Sequence, residues 1–528
     1  MSKVVAIFLS EFDMKSGYKL QWSYTTLQNF SFDAVEYKSL PSGIHDFKNA
    51  TTFISHKSNN KIYYGLSCFK QFQINKQDDS NDRNNLKMFS IGILCEPTKN
   101  EWRPNEFINN GWEYIDEINE VLDKLEEDLI KNKGIDFNDY SNVLKNIGST
   151  TNLTVPKESS NVTNHLLLNL PKLFEYLGPL IFTIYKQSLL RKNILIFNEC
   201  HHNNNQQDTY HIITSFSYLI SILSVIPKEI KVNKNLSAQQ PLYNIGLNES
   251  STGLLKDYKL NGYIAVTSDE ILKTHPVYDI GVEIENNKSR IFKQSNETQS
   301  MKSTIRDYNK FQSLYCNLMS KEIKFTNKSN ISTDDLNSIN SRNDDEEISR
   351  NKSYTDISPN QIINEPSWWK SDAIETITWS ESFWFAFSWF ASAGQQLNED
   401  EDEDLIDLQT KNKKILDLID LLNIIGFFHK LTIKWFKYID ELIIETNEEL
   451  QLIKNDFSSL LQEDQDQNQD QELTNKINLN ISYQDMIEME LDPYSLQDIE
   501  FLKEFILLYY NNKVDNVNIG YNLTKICC

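Results

Sequence analysis

Three groups of side chains have the types and spacing to do chemistry. Asp269–Glu270 sets two carboxylates side by side, and paired acids can divide general acid and base work. They also open an apolar stretch, and acids are favoured at the first positions of a helix. A turn leading into a helix is therefore the reading, with catalysis there disfavoured. His201–His202 beside Cys200 suggests a metal site, but no third ligand sits at a useful spacing. The histidines belong to the Asn/Gln-rich stretch His201–Asp208, which reads as a solvated loop, and Cys200 reads as a strand-end cysteine. Arg191–Lys192, with Lys186, forms a basic cluster at the end of an apolar helical pattern. It either complements the helix dipole from solvent or touches a partner, and both readings stay open.

The absences carry as much weight. No G-x-x-x-x-G-K-[ST] occurs, so the chain is not itself a P-loop GTPase or ATPase. G-x-G-x-x-G, H-E-x-x-H, G-x-S-x-G and the kinase signatures are missing as well. No catalytic residue, cofactor site or metal site is assigned. The six cysteines form no CxxC pair, which points to a reducing compartment and no disulfide framework. Two of them, Cys527 and Cys528, end the sequence given. A C-a-a-X box needs cysteine where Lys525 stands, so ordinary farnesylation is excluded. S-acylation of Cys527 and Cys528 is preferred over unmodified thiols. Two acyl chains would hold a protein on a membrane where one would be marginal.

At 528 residues the chain suggests two to four modules, and 39% hydrophobic residues suffice for sizeable cores. A net charge of −23 argues against a nucleic-acid partner. Much of the acid is local, in Glu399–Asp404, Asp344–Glu347 and Gln462–Glu472, runs that read as solvated linkers. Val4–Leu9 is too short for a secretory segment and is followed by Glu11 and Asp13.

The elements that must position these side chains are legible in two halves. Val4–Phe8, a turn containing Gly17, and Leu20–Tyr24 read as strand, turn, strand. Lys61–Gln71 and Met88–Leu94 follow, around a polar surface insertion at Asn75–Asn85. Gly111–Lys131 is an amphipathic helix with Ile115, Ile118, Val121, Leu122, Leu125 and Leu129 on one face. In Leu177–Asn198 a helical apolar pattern passes directly into Ile194–Phe197, a buried strand. Tyr263–Thr267 and Ile280–Ile284 are two further strands of one α/β layer, and Thr209–Pro227 reads as a buried helix.

These pieces, in this order, resemble the DENN-domain family. The apolar strand, Phe12–Asp13, Gly17 and Trp22–Ser23–Tyr24 resemble the start of its longin-like upstream module. Leu40–His45 and Lys61–Gln71 resemble the LCHN-like branch. The stretches "LGPLIF…LLRKNILIF" and "GYIAVTSDEIL…PVYDIGVEI" resemble the central module. The resemblance covers residues 1–290 well and the rest poorly. It implies a regulator of a Rab-type small GTPase, mostly an exchange factor, with the longin-like and central modules together forming the GTPase-binding surface. The cysteine usage and the acylated tail lead to the expectation of a cytoplasmic protein held peripherally on the cytosolic face of a membrane. A terminal Cys–Cys resembles the prenylated end of Rab proteins, but the enzyme for those ends also recognises a fold that this chain lacks. The alternative is a non-catalytic DENN-fold scaffold within a larger protein complex of trafficking or nutrient sensing.

The expected fold class is α/β. Residues 1–150 form the longin-like module and 164–292 a central module with a parallel-type sheet. Residues 293–365 form a disordered insertion, 366–512 a mainly helical module interrupted by acidic linkers, and 513–528 a tail. Asn511–Thr524 is expected to be a tether outside any core. Ile377–Gly394, which holds Trp379, Trp384 and Trp389, is read as a buried central helix in preference to a membrane or interfacial element. Ile415–Asn447 and Leu496–Tyr510 are helices.

Overall fold

The computed structural model describes residues 2–40, 48–59, 61–73, 86–97, 109–131, 137–147, 164–199, 209–251, 255, 261–285, 288–319, 365–375, 418–460 and 476–520. Its spine is an eleven-stranded sheet whose strands, from one edge to the other, begin at residues 296, 288, 280, 194, 263, 240, 49, 61, 86, 4 and 17.

The antiparallel half consists of β1 (Val4–Asp13), β2 (Gly17–Thr25), β3 (Asn49–Ser58), β4 (Lys61–Gln73) and β5 (Leu86–Cys95). A short helix, α1 (Val35–Ser39), lies between β2 and β3, and α2 (Ile115–Lys131) follows β5. Alternation assigns the faces. Ile7, Leu9, Leu66, Ile91 and Ile93 share a core with the Ile118, Leu122 and Leu125 stripe of α2. Ala6, Phe8, Ile54 and Leu94 pack on Val35 of α1 on the other side. Gly92 makes room for the Phe8 ring, which a Cβ there would meet at 2.1 Å. The helix α3 (Ser141–Asn146) closes this half.

The parallel half begins with α4 (Leu170–Leu177) and α5 (Leu180–Leu189). β6 (Ile194–Asn198), α6 (Thr209–Leu223), β7 (Gln240–Asn244), α7 (Leu247–Ser251), β8 (Tyr263–Thr267) and β9 (Ile280–Glu285) follow. β9, β6, β8 and β7 are mutually parallel. Ile194, Ile196, Ile264 and Val266 face the helices, while Leu195, Phe197, Tyr263 and Ala265 build a second cluster on the opposite face. Burial on both faces explains why these strands read as unbroken apolar runs. The two half-sheets pair at Ile54 with Tyr243, where the Ser55 hydroxyl donates to the Leu242 carbonyl at 2.8 Å and the Phe53 and Tyr64 rings pack on Tyr243.

Residues 293–365 do not begin an insertion at 293. β10 (Lys288–Lys293) and β11 (Asn296–Met301) extend the sheet as a hairpin, and α8 (Ile305–Met319) packs on α5. Phe311, Leu314 and Tyr315 are buried apolar positions inside a stretch of polar composition. Residues 320–364 lie outside the described residues, as does the Asn75–Asn85 insertion.

The last part holds α9 (Trp368–Ser371), α10 (Leu418–Leu460), β12 (Ile477–Ile481), α11 (Tyr483–Glu488), α12 (Leu496–Tyr509) and β13 (Val514–Ile519). Trp369 sits on Gly178, whose φ of +53° ends α4 and whose missing Cβ leaves space for the indole. Phe428 of α10 meets Phe174, Phe182 and Tyr185 of the central helices, and Trp435 meets Phe501 and Phe505 of α12. The expected tether is corrected in part: Val514–Ile519 is a strand, parallel to β12, with Val514 and Val517 buried. Ile377–Gly394 lies outside the described residues. Among those described, no helix is long and apolar enough to cross a membrane.

Candidate functional site

An open concavity of about 600 Å³ lies on the seam of the two half-sheets, at the carboxyl ends of β7 and β8. Such ends are where open α/β sheets present ligand-binding crevices. The antiparallel half supplies Tyr18 from β2 and Tyr37 from α1, whose rings stand 5.3 Å apart at 45°. The parallel half supplies Asn244–Ser250 from the β7–α7 turn, with Asp269 and His275 from the connection after β8.

The seam is pinned beneath the groove. Lys38 Nζ donates to the Ser55 carbonyl at 2.7 Å and pairs with Glu249 at 3.2 Å, while Glu249 also accepts from the Gly246 amide at 2.9 Å. One buried lysine thereby ties α1, β3 and α7 together, and Glu249 is occupied by that structural duty. Asp269 lies higher. Its Oδ2 stands 3.1 Å from where a Cβ on Gly246 would be, so glycine there lets the carboxylate lean over the turn. Burial pushes the Tyr18 phenol up, and the neighbouring Asp269 charge adds to this, so Tyr18 remains a hydroxyl. Tyr37 and Leu247, both lining the groove, are exposed at 50% and 40%. An apolar rim around a polar floor marks a surface that a partner can cover.

The carboxylate pair is divided by the fold. Asp269 precedes a 3-10 turn, Glu270–Thr274, without capping it; Asp269 enters the groove and Glu270 stays exposed.

The basic cluster is divided too. Lys186 is buried, with Nζ 2.6 Å from Asp307 of α8 and 2.5 Å from Asp498 of α12. Burial alone would lower its ammonium pKa, but the two carboxylates outweigh it and hold it above the ordinary lysine range. Arg191 is also buried. Its guanidinium donates to the carbonyls of Ser188, Ser224 and Leu236, so it caps the ends of α5 and α6. The helix-dipole reading holds for Arg191, though from inside the protein instead of from solvent. Direct partner contact by Lys186 or Arg191 does not fit this burial. Lys192 alone reaches the surface, where it pairs with Glu504 at 2.6 Å.

Cys200, His201, His202, Cys527 and Cys528 lie outside the described residues. Cys68 is a core side chain whose thiol burial pushes up to about 12, the reverse of a nucleophile. Among the described residues, no group of three His, Cys, Asp or Glu could hold a metal ion. The groove offers aromatic faces, a carboxylate and amide groups, a set suited to binding.

Sequence reasoning found the β8 turn but missed Tyr18, Tyr37 and the β7–α7 turn. A glycine between an apolar run and an acid-bearing helix start, Leu242–Tyr243 then Gly246 and Glu249, was the available signal. Pro241, unusual inside a strand, obscured β7.

The comparisons with known proteins extend the geometry. Residues 7–295 match the family model described as DENN domain-containing protein 11. Residues 374–527 match one described as Domain of unknown function (DUF4484). The uncharacterized protein ANR2 of Saccharomyces cerevisiae is 29% identical over 314 residues, 53% of this chain and 57% of its own. An uncharacterized protein of Schizosaccharomyces pombe is 25% identical over 307 residues, 53% of this chain and 63% of its own. DENN domain-containing protein 11 of Danio rerio is 25% identical over 207 residues, 37% of this chain and 39% of its own. The matches thus span less than two thirds of each of these relatives.

Proposed function

We propose, for a chain that belongs to the DENN domain-containing protein 11 family, that it is a guanine nucleotide exchange factor or regulator of a Rab-type small GTPase in membrane trafficking. The observation that carries the reading is the open groove across the seam of the two half-sheets, with exposed Tyr37 and Leu247 among its lining residues. Exchange needs no triad or metal. A surface that binds the nucleotide-free GTPase more tightly than the loaded one shifts the equilibrium toward nucleotide loss. It does so by holding switch loops away from phosphate and Mg²⁺. Assignment to the LCHN-like branch belongs to this proposal and rests on Leu40–His45 and Lys61–Gln71.

The test is release of fluorescent GDP from a panel of purified Rab-type GTPases, with the full chain in solution and on vesicles. Acceleration of one member or a few supports exchange. No acceleration anywhere removes it. Affinity capture of a stable set of proteins, with no preference for nucleotide-free GTPase, would then favour the scaffold alternative.

Residence on a cytosolic membrane face through acylated Cys527 and Cys528 is part of the same proposal. Neutral hydroxylamine cleaves a thioester, so it should release the protein if acyl chains hold it. Membrane residence undiminished in a Cys527→Ser/Cys528→Ser variant overturns this part.

A further inference from the structure

A second cavity, of about 230 Å³, lies where the parallel half meets the C-terminal elements. It opens at the amino ends of β6 and β9, the opposite end of the parallel sheet from the seam groove. Its floor is apolar and made of buried side chains: Leu190 at the end of α5, Ile280 of β9, Met301 of β11 and Phe501 of α12. Sites for drug-sized ligands run to about 300–1,000 Å³, so this one admits only a small occupant.

The two walls carry opposite charge. The sheet side presents Lys192, just before β6, and Lys293, at the end of β10. The helix side presents Glu500 and Glu504, one turn apart on a single face of α12. Each lysine meets one glutamate: Lys192 Nζ lies 2.6 Å from Glu504, and Lys293 Nζ lies 3.0 Å from Glu500. The fifth charge of the lining, Asp279, accepts from the Asn193 amide at 2.7 Å. Tyr278 is engaged as well, its hydroxyl donating to the Lys273 carbonyl at 3.1 Å. Gln187, Gln294, Gln497 and Ser295 add neutral donors and acceptors around these charges.

The four side chains of the two bridges are 33–47% exposed. Ion pairs at that exposure contribute little, because water competes for both ends. They can trade partners at small cost, provided that no charge is left unanswered. An anion alone would take a lysine and strand a glutamate, and a cation alone would do the reverse. A molecule with both charges side by side answers both: its carboxylate meets the lysine, its ammonium meets the glutamate, and its apolar body lies on the floor. No single protein side chain carries both charges, which leaves a free small molecule. We infer that this cavity is a binding site for a free apolar α-amino acid.

The test uses the full-length chain with L-leucine and two analogues that keep its isobutyl body and lose one charge each. Isocaproate lacks the ammonium and isoamylamine lacks the carboxylate. Titrations read by ligand-observed saturation-transfer NMR give the affinities. The expected result is saturable binding of leucine and about tenfold weaker binding of each analogue, the loss of one charge-assisted interaction. Lys293→Gln and Glu500→Gln should each weaken leucine to a similar degree. Both positions are about half exposed, so the melting midpoint should move little. Lys172→Gln, which breaks the exposed pair with Glu175 on α4, should leave leucine binding unchanged. No saturable binding of leucine, methionine or phenylalanine overturns the inference. So does binding of either analogue as tight as that of leucine, or a leucine affinity unchanged in both Lys293→Gln and Glu500→Gln. Leucine binding needs no GTPase, so a chain that binds leucine and releases GDP from no GTPase sustains this site and sinks the exchange reading. Exchange activity with no amino-acid binding does the reverse.

Discussion

Two joints hold this molecule together, and they handle charge in opposite ways. At the joint between the parallel half and the C-terminal elements, the central buried charges are paired within the chain. Lys186 lies between Asp307 and Asp498, and Asp307 also pairs with Lys310 at 3.3 Å. Aromatic rings fill the rest, with Trp369 and Trp435 fully buried. At the seam between the two half-sheets, the β3–β7 pairing, the Lys38–Glu249 pin and the Phe53 and Tyr64 rings on Tyr243 hold the joint, and above them a carboxylate, a histidine, two tyrosines and apolar side chains line an opening. The first joint buries an ionic cluster at its centre and has a pocket of about 230 Å³ at its edge, between α5, β10 and α12. The second leaves a wider groove open to solvent. The same residue types, acids and aromatics, serve both, and what differs is how deeply they are buried.

Breaking the closed joint gives the largest expected effect. Lys186→Met leaves Asp307 and Asp498 without their shared cation, and removing one side of a buried ionic cluster costs about 3–5 kcal/mol. Urea denaturation should show that loss, whereas a partner-contact lysine on the surface would show nearly none. Shortening Val514 and Val517 together to alanine should cost about 2–3 kcal/mol, because both are buried in β13. An unchanged melting midpoint would restore the reading of this stretch as a tether.

A smaller effect concerns pH. Glu375 follows the bridge between Ser303 and Ile374, close to Asp492, Asp498, Ser495 and Lys186. Burial first, and then the nearby aspartates, raise its carboxyl to about 7. The folded state therefore binds a proton that the unfolded state has already released near pH 4.5. The resulting stability is full below that point and is lost as pH rises through about 7. Because Glu375 is partly solvated, the expected loss is about 1 kcal/mol. Melting curves from pH 5 to 8 should fall less steeply for Glu375→Gln, and parallel curves would contradict the assignment. The smallest effect is at the surface. Lys192→Ala breaks an exposed pair with Glu504 and should change stability by about 0.5 kcal/mol or less.

The sequence made some of this architecture legible and hid the rest for physical reasons. β6, β8 and β9 were readable because burial on both faces demands unbroken apolar runs. α2 was readable from the 3.6-residue spacing of its stripe. β13 was hidden because only Val514 and Val517 of its six residues are buried and the others are largely polar. α8 was hidden by the polar stretch around it. Lys186 looked like a surface charge because Asp307 and Asp498 lie 121 and 312 residues away. The groove was half visible: Asp269 stood out at its turn, but Tyr18 and Tyr37 come from the other half-sheet. A site made where two modules meet leaves no local spacing to find.

The central claim is that the seam groove is the partner surface and the C-terminal joint is not. GDP release from the responding member of the Rab-type panel, by wild type, Leu247→Glu and Lys192→Ala, tests it most directly. Leu247 is 40% exposed at the groove rim, so a charge there should leave folding intact and block docking. The account predicts acceleration by wild type and Lys192→Ala, and a loss of about tenfold or more for Leu247→Glu. Equal rates for wild type and Leu247→Glu, or a loss confined to Lys192→Ala, would contradict it.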